Sequence, residues 1–376
     1  MHVPALDGLR GIAILAVLVL HLTSALTAPE STPARLARQA GSFGWSGVDL
    51  FFVLSGFLIT GILADAQETP RRFRTFYARR ALRILPLYYG FLLLLFAVPV
   101  LLGTRAYVTP LDQQLPYWLY LQNFWWLKTG ALEFSAHLWT LAIEAQFYLA
   151  WPLAVFTLSR RNALRVCLAC IAGALAFRLA CIFTMDDLRA IYFLTPARMD
   201  GLTVGGAIAL IARGPGGWAG LRRWAPRVMA AAFAVLAMAP LHPSGFNPGG
   251  VYMTSVGYTA LAFFFGALLV MALDAGRPPL PRLLSAPVLR FFGRYSYGLY
   301  VFHVPLVSLA RLGGITPNRF AGTRWELAGL LGYAMLMLAA TLLLAMASFH
   351  LYEKPFLQLK SRFAYGGDDV QRVSRA

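Results

Sequence analysis

Residues 8–27, which read GLRGIAILAVLVLHLTSALT, form an apolar run long enough to cross a lipid bilayer as a helix. A membrane-spanning helix needs about 20 mostly apolar residues. About ten such runs follow one another with short connections, at residues 8–27, 44–64, 84–103, 137–158, 164–184, 190–212, 226–242, 252–273, 290–311 and 327–350. The sequence therefore predicts an all-α polytopic membrane protein with about ten transmembrane helices.

The composition of the chain supports this fold class. Hydrophobic residues make up 59% of the 376 residues and charged residues 13%, whereas soluble globular chains carry about 25% charged residues. This balance excludes a disordered protein, a disulfide-stapled secreted domain and an ordinary soluble enzyme. The net charge of +17 fits the excess of cations that orients membrane helices, so we expect no nucleic-acid partner.

The distribution of Lys and Arg predicts the orientation. With the N-terminus in the cytoplasm, about 22 of these residues fall on the cytoplasmic side and about 8 on the other, which favours both termini inside. We expect a membrane domain over residues 1–360 and a polar, disordered cytoplasmic tail over 361–376. We expect no cleavage of a signal peptide, because Asp7, Arg10 and His21 interrupt or flank the apolar run.

The first predicted helix carries two ionisable residues, Arg10 and His21. Such groups are costly inside a membrane and mark a functional site by default. Eleven residues separate them, which is about 16 Å along a helix axis and returns to nearly the same face. The alternative is a cation at the membrane interface and a hydrogen-bonded structural histidine. For His303, in the ninth predicted helix, the structural role is the preferred interpretation.

Other charged residues lie near the ends of the predicted helices. Asp49, at the start of the second helix, is placed to orient an imidazole or bind substrate, or to interact with the helix dipole. Arg80 and Arg83 end the run of cations that starts at Arg71 and share one helical face. They are suited to bind phosphate groups, or to anchor the helix to anionic lipid.

The fourth predicted helix carries a polar stripe. His137, Thr140, Glu144 and Tyr148 follow at helical spacing along one face. Several polar groups on one face, with a glutamate inside the membrane, indicate a hydrophilic cavity.

The sixth predicted helix contains Arg198 and Asp200. Residues two positions apart diverge on a helix, so we expect each to pair with a residue of another helix. The cysteines Cys167, Cys170 and Cys181 are interpreted as small core residues, and we expect no metal.

Together these segments resemble the acyltransferase-3 family of integral membrane acyltransferases. The resemblance covers most of the chain and rests on an ordered set of motifs, which includes the Arg-x10-His spacing of Arg10 and His21. The motifs are LDGLRG at 6–11, GVDLFFVLSGF at 47–57, YARRALRILP at 77–86, HLWTLAIE at 137–144, YSYGLYVFH at 295–303 and YEKP at 352–355.

The resemblance implies a multi-pass enzyme of the bacterial cytoplasmic (inner) membrane. It would move an acyl group, usually acetyl, from cytoplasmic acyl-CoA to a hydroxyl of a glycan, a lipid-linked sugar or a small molecule. His21 would be the catalytic histidine and Arg10 its partner. Many members carry a further hydrolase-like domain, and we expect any step assigned to that domain to take place elsewhere or not at all.

The residues and the resemblance lead to one mechanistic hypothesis. Arg80, Arg83 and Arg10 would bind the phosphates of acyl-CoA, and the thioester would reach His21. His21 would act as a general base or as the carrier of the acyl group. We expect acyl-CoA, the hydroxyl acceptor and membrane lipid as partners.

The remaining candidates receive supporting roles. Glu144 or Asp49 would orient the imidazole of His21 or complete the proton path, and both are counted as catalytic. His137, Arg198 and Asp200 are assigned to binding of the acceptor.

A proton-coupled transporter or flippase of similar architecture is the main alternative. Its relay would consist of His21, Glu144, Asp200 and Arg198. Transporters often show inverted repeats, and the sequence has no evident repeat. A purely structural subunit is disfavoured by the number of ionisable groups inside the predicted spans.

Overall fold

The computed structural model describes residues 3–104, 108–130, 132, 134–185, 187–274, 276 and 279–365. Within these ranges the chain is mostly helical and has no β-strand. In chain order the α-helices are α1 (Pro4–Ser24), α2 (Thr32–Ser42), α3 (Gly47–Asp65), α4 (Arg72–Leu101), α5 (Leu111–Trp118), α6 (Gln122–Thr129), α7 (Trp139–Thr157), α8 (Arg160–Thr184), α9 (Thr195–Ala212), α10 (Gly217–Ala237), α11 (Tyr258–Ala272), α12 (Pro279–Leu284), α13 (Pro287–Leu312), α14 (Glu326–Ala347) and α15 (Lys354–Gln358).

The structure confirms the all-α, polytopic fold class. Each predicted span overlaps a long helix, and within the described ranges 7 helical stretches are long and apolar enough to cross a membrane. These stretches are Pro4–Ser24, Thr32–Asp65, Arg72–Leu101, Arg160–Thr184, Gly217–Leu241, Met253–Ala272 and Glu326–Arg362. The number of about ten crossings and the cytoplasmic placement of the termini stay predictions.

The long helices α7, α9 and α13 do not belong to that apolar set. They carry polar residues in their interiors, among them Glu144 on α7, Asp200 on α9 and His303 on α13. Polar groups inside membrane helices face other helices or a cavity. Each of these three helices is therefore expected to face other helices or a cavity rather than lipid.

Local sequence sets the ends of several helices. Pro4 occupies the first turn of α1, where its missing N–H costs nothing. Ser159 caps α8, since its side chain accepts a hydrogen bond from the backbone N–H of Asn162 at 3.3 Å.

Glycines allow two helix pairs to approach closely. A Cβ atom at Gly11 of α1 would lie 2.0 Å from the carbonyl oxygen of Leu289 on α13, and one at Gly205 of α9 would lie 2.0 Å from that of Val53 on α3. Small residues at such contacts are typical of membrane helix packing. The contact of α1 with α13 brings the helix of Arg10 and His21 against the helix of His303.

The start of the predicted tail packs on α4. Arg79 donates hydrogen bonds to the carbonyl oxygens of Lys360 at 3.1 Å and Phe363 at 3.0 Å, and its guanidinium lies over the ring of Tyr365. The remainder of the predicted tail, residues 366–376, lies outside the described residues.

Candidate active site

A cavity of about 110 Å³ lies between α1, α3, α4, α7 and α13. Its lining combines aromatic and aliphatic side chains with a polar set that includes Arg10, Ser55, Arg80, Glu144, Tyr148 and Tyr300. We call this space the reaction cavity. The structure therefore brings together three residues that the sequence predicted for the site, namely Arg10, Arg80 and Glu144.

Opposite charges meet in the reaction cavity. Arg10 and Arg80 both interact electrostatically with Glu144. The guanidinium of Arg80 lies 5.8 Å from the ring centroid of Tyr148, and the Tyr148 hydroxyl is hydrogen-bonded to Ser55. A carboxyl group beside two guanidinium groups makes the cavity strongly polar in an apolar setting, so the cavity can hold polar substrate groups.

The polar stripe of α7 faces this cavity as its spacing predicted. Thr140, Glu144 and Tyr148 all line the reaction cavity. His137 lies in a short 3-10 turn just before α7. It is buried beside the cavity, in a second cluster of residues.

That second cluster consists of His21, His137 and His303. The ring centroids of His21 and His303 are 4.7 Å apart, and those of His303 and His137 are 5.1 Å apart. The cluster joins α1, α13 and the turn before α7, which are far apart in the sequence. His303 was interpreted as structural, yet it is the residue whose ring packs on His21.

Each ring of the histidine cluster bonds to a backbone carbonyl. His21 Nδ1 lies 2.9 Å from the oxygen of Val17, His303 Nδ1 lies 2.7 Å from that of Tyr300, and His137 Nε2 lies 3.0 Å from that of Val301. A carbonyl oxygen only accepts hydrogen bonds, so each of these nitrogens is a donor.

The other nitrogen of each neutral ring carries a lone pair. For His21 this is Nε2, which leaves the nitrogen needed by a general base free of its proton. Within the described residues, His303 Nε2 and His137 Nδ1 are buried without a hydrogen-bond partner. A buried polar atom without a hydrogen-bond partner costs about 1–3 kcal/mol of folding free energy. Two such atoms in one histidine cluster are consistent with a functional site.

Tyr300 connects the reaction cavity to the histidine cluster. Its hydroxyl accepts a hydrogen bond from Thr140 at 2.7 Å and donates one to the carbonyl oxygen of His137 at 2.8 Å. Its ring lies 5.4 Å from the rings of both His137 and His303, and it also lines the cavity. His21 lines neither cavity; its ring packs on His303, whose ring in turn lies beside Tyr300 of the cavity wall.

A second cavity, of about 570 Å³, opens between α1, α4, α13 and the segment that follows α14. Arg10, Arg83, Arg290 and Arg294 line it together with Asp7. We call it the arginine pocket. Arg10 borders both cavities, so the two spaces adjoin at this residue.

The structure divides the predicted phosphate-binding pair. Arg80 lines the reaction cavity whereas Arg83, one turn later on α4, lines the arginine pocket. Arg290 and Arg294 were not among the predicted site residues. Their spacing of four positions places them on one helical face, and this was the signal that could have indicated them.

The remaining predicted residues form a buried network of ion pairs. Arg198 donates to Asp49 at 2.8 Å and Arg178 pairs with Asp200 at 2.9 Å. Arg198 and Asp200 thus pair with other helices rather than with each other, as their spacing predicted. The guanidinium of Arg198 also lies 3.9 Å from the ring centroid of Tyr258.

These ion pairs lie outside both cavities. Neither Asp49, Arg198 nor Asp200 lines the reaction cavity or the arginine pocket. Asp49 is hydrogen-bonded to Arg198, and in the described part of the chain no hydrogen bond joins it to His21. The catalytic role of Asp49 and the acceptor-binding roles of Arg198 and Asp200 stay predictions.

Comparison with known proteins gives a family for this arrangement. A family model described as an acyltransferase domain matches residues 3–350. The chain is 28% identical to YrhL of Bacillus subtilis over 94% of this chain and 55% of that protein. It is 27% identical to the peptidoglycan O-acetyltransferase OatA of Listeria monocytogenes over 94% of this chain and 56% of that protein.

A third relative is similar over a shorter stretch. The chain is 26% identical to the O-acetyltransferase OatA of Staphylococcus aureus, over 81% of this chain and 51% of that protein. The chain thus spans about half the length of the curated relatives it matches. No solved structure matches it.

Proposed function

Because the chain belongs to the acyltransferase-3 family, we propose that it is a membrane O-acyltransferase. It moves an acyl group, for which we propose acetyl, from cytoplasmic acyl-CoA to a hydroxyl of a glycan. The bacterial inner membrane is the location that this reaction requires, since donor and envelope acceptor meet there.

One observation carries the proposal: α1 places Arg10 where two cavities adjoin, and His21 packs on His303, whose ring lies beside Tyr300 of the reaction-cavity wall. A donor whose phosphates lie in the arginine pocket extends past Arg10 into the reaction cavity. Its thioester then approaches Tyr300 and the histidine cluster. The separation of about 16 Å between Arg10 and His21 along α1 suits an extended thioester arm.

The chemistry follows from the free nitrogen of His21. Nε2 takes the proton of the acceptor hydroxyl, and the hydroxyl oxygen attacks the carbonyl carbon of the thioester. The carbon–sulfur bond breaks, the thiolate leaves, and the His21 imidazolium returns the proton to it. The products are the acylated acceptor and free CoA thiol. Arg10, about 16 Å from His21 along α1, and Arg80 bind the donor away from the reacting carbonyl group.

The names of the relatives support a cell-envelope glycan as acceptor. The Listeria relative is named a peptidoglycan O-acetyltransferase, so we propose a peptidoglycan sugar as the first acceptor to test. His137, Arg198 and Asp200 are the candidates for holding it, with Glu144 and Asp49 as supporting catalytic residues. A lipid-linked sugar presents the same hydroxyl chemistry.

The test uses the full chain purified in lipid nanodiscs. Acetyl-CoA and muramic-acid-containing oligosaccharides are supplied, and free thiol and acetylated sugar are measured. Thiol release that requires both the sugar and His21 supports the enzyme. His242→Ala is the matched control, since His242 bonds to Ser244 at 2.8 Å and lies outside both cavities.

Two results would overturn the proposal. One is full activity of His21→Ala, and the other is uptake of a solute by proteoliposomes without any thiol release, which indicates a carrier. Mass spectrometry after acid quench separates the two chemical routes. A protein mass raised by one acetyl group in wild type but not in His21→Ala identifies an acyl-histidine intermediate.

A further inference from the structure

The arginine pocket concentrates positive charge from separate parts of the chain. Arg10 comes from α1, Arg83 from α4, and Arg290 and Arg294 from one face of α13. Among the described residues that line the pocket, Asp7 is the single acidic one. Like charges repel when they are brought together. A pocket with this surplus is therefore stabilised when an anion binds in it.

The guanidinium groups suit one class of anion. Arginine forms paired, planar hydrogen bonds to the oxygens of a phosphate. The cavity volume of about 570 Å³ exceeds that of a single inorganic phosphate and falls in the range of pockets for small organic ligands. The aromatic rings of Phe291 and Tyr295 also line it, and they offer flat apolar surfaces to a base.

We propose that Arg290 and Arg294, with Arg83, form a nucleotide-phosphate site that selects the acyl donor. The site accepts donors whose thioester arm ends in a phosphorylated nucleoside, and it discriminates against acyl thioesters on an arm without phosphates. This inference rests on the proposed function and adds the residues of α13 to it. Arg80 lines the other cavity and is not part of this site.

The location of the pocket agrees with this assignment. It lies at the end of the bundle where α1 and α13 begin and where the segment containing Leu357 runs. That end is the predicted cytoplasmic one. Arg10 connects the pocket to the reaction cavity, so a phosphate bound here belongs to a ligand that reaches the candidate site.

Two sources could supply the phosphate chemistry, a soluble donor or the headgroup of an anionic lipid. Arg290 and Arg294 are exposed at the mouth of the pocket, where a headgroup could also reach them. The assignment to the donor therefore predicts binding in a membrane without anionic lipid, and the experiment includes both membranes.

The experiment measures binding directly and does not depend on turnover. Calorimetric titrations use CoA and adenosine 3′,5′-bisphosphate as probes, with the full chain in nanodiscs of neutral phosphatidylcholine. The double variant Arg290→Gln and Arg294→Gln is expected to raise the Kd for both probes at least about 10-fold, since each guanidinium–phosphate contact is a charge-assisted one. Arg282→Gln is the matched control, because Arg282 is an exposed arginine on α12 outside the pocket.

Kinetics give a second readout. The double variant should raise the KM for acetyl-CoA and leave turnover of acetyl-pantetheine unchanged, which also shows that the variant is folded. Unchanged Kd values overturn the inference, as does an equal loss of turnover with both donors. So does a Kd effect that occurs only in nanodiscs containing phosphatidylglycerol. Binding without any acyl transfer would instead refute the proposed function and leave the phosphate site standing.

Discussion

The imidazole rings of His21 and His303 lie edge to face, with their centroids 4.7 Å apart. His303 donates its Nδ1 proton to the backbone, so its Nε2 lone pair is free inside a buried cluster. An imidazolium that forms on His21 during proton transfer therefore has a neutral aromatic ring beside it. Such a ring stabilises a cation through its face or its lone pair.

Replacement of His303 tests this role. His303→Phe keeps an aromatic ring but removes the lone pair, so it should lower kcat about 10-fold or more, less than the 10²–10⁴ that a general base contributes. The KM for acetyl-CoA should not change, because His303 borders neither the reaction cavity nor the arginine pocket. Steady-state thiol release with purified protein provides both constants.

The comparison with His242→Phe separates catalysis from general damage. His242 lies outside the histidine cluster, bonded to Ser244, and its variant should keep the kcat of the wild type. A His303→Phe protein with normal kcat, or with an apparent kcat lowered only in proportion to the yield of folded protein, would refute the positioning role.

Tyr300 joins the two parts of the candidate site, and its hydroxyl makes the connection. Tyr300→Phe removes hydrogen bonds to Thr140 and to the carbonyl of His137. The loss should destabilise the protein by about 0.5–1.5 kcal/mol, the contribution of a typical hydrogen bond, because Thr140 can still donate to the carbonyl oxygen of His137 at 3.2 Å. It should also lower kcat by misplacing His137. Thermal unfolding in detergent and thiol release measure the two effects. Tyr252→Phe removes a half-buried hydroxyl bonded to Val235 and serves as control, and an equal effect of both changes would contradict this account.

Much of the site could be predicted from single helices. Helical spacing placed Thr140, Glu144 and Tyr148 on one face, and all line the reaction cavity. It also predicted that Arg198 and Asp200 would pair elsewhere. These predictions depend only on the geometry of one α-helix, which the local sequence determines.

What the sequence left open depends on the packing between helices. The neighbour of His21 is His303, which is distant along the chain, and no periodicity within α1 or α13 indicates their alignment. The split between Arg80 and Arg83 likewise depends on where α1 and α13 meet α4. Interhelical register is set by side-chain packing at the contact, so the sequence of α13 alone does not indicate which residue lies beside His303.

The glycine contact between α3 and α9 gives a prediction about folding. Gly205→Val would place a Cβ atom 2.0 Å from the carbonyl oxygen of Val53, so the helices must separate and open the cavity wall. Overpacking of this kind costs about 1–3 kcal/mol or more, and we expect a large drop in folded yield by size-exclusion chromatography. Gly332→Ala on α14 meets no atom within 4 Å and should be neutral or stabilising. Normal yield of Gly205→Val would show that this close approach does not limit stability.

The buried pair of Asp49 and Arg198 predicts a non-additive pattern of stability. Both side chains are nearly inaccessible and 2.8 Å apart. Removing one partner leaves a buried charge, which costs about 3–5 kcal/mol. Asp49→Asn and Arg198→Gln should each lower the unfolding temperature strongly, whereas the double variant should recover part of the loss.

The pair of Asp65 and Arg213 is the matched control for this cycle. It is as close, at 2.6 Å, but its side chains are 33% and 29% exposed. Partly exposed ion pairs contribute about 0–1 kcal/mol, so Asp65→Asn and Arg213→Gln should shift the unfolding temperature little. If the single Asp49 and Arg198 variants are as stable as these controls but inactive, the pair acts on substrate rather than on the fold, as the sequence first suggested for both residues. Unfolding temperature and thiol release, measured on the wild type and on these five variants, distinguish the two roles.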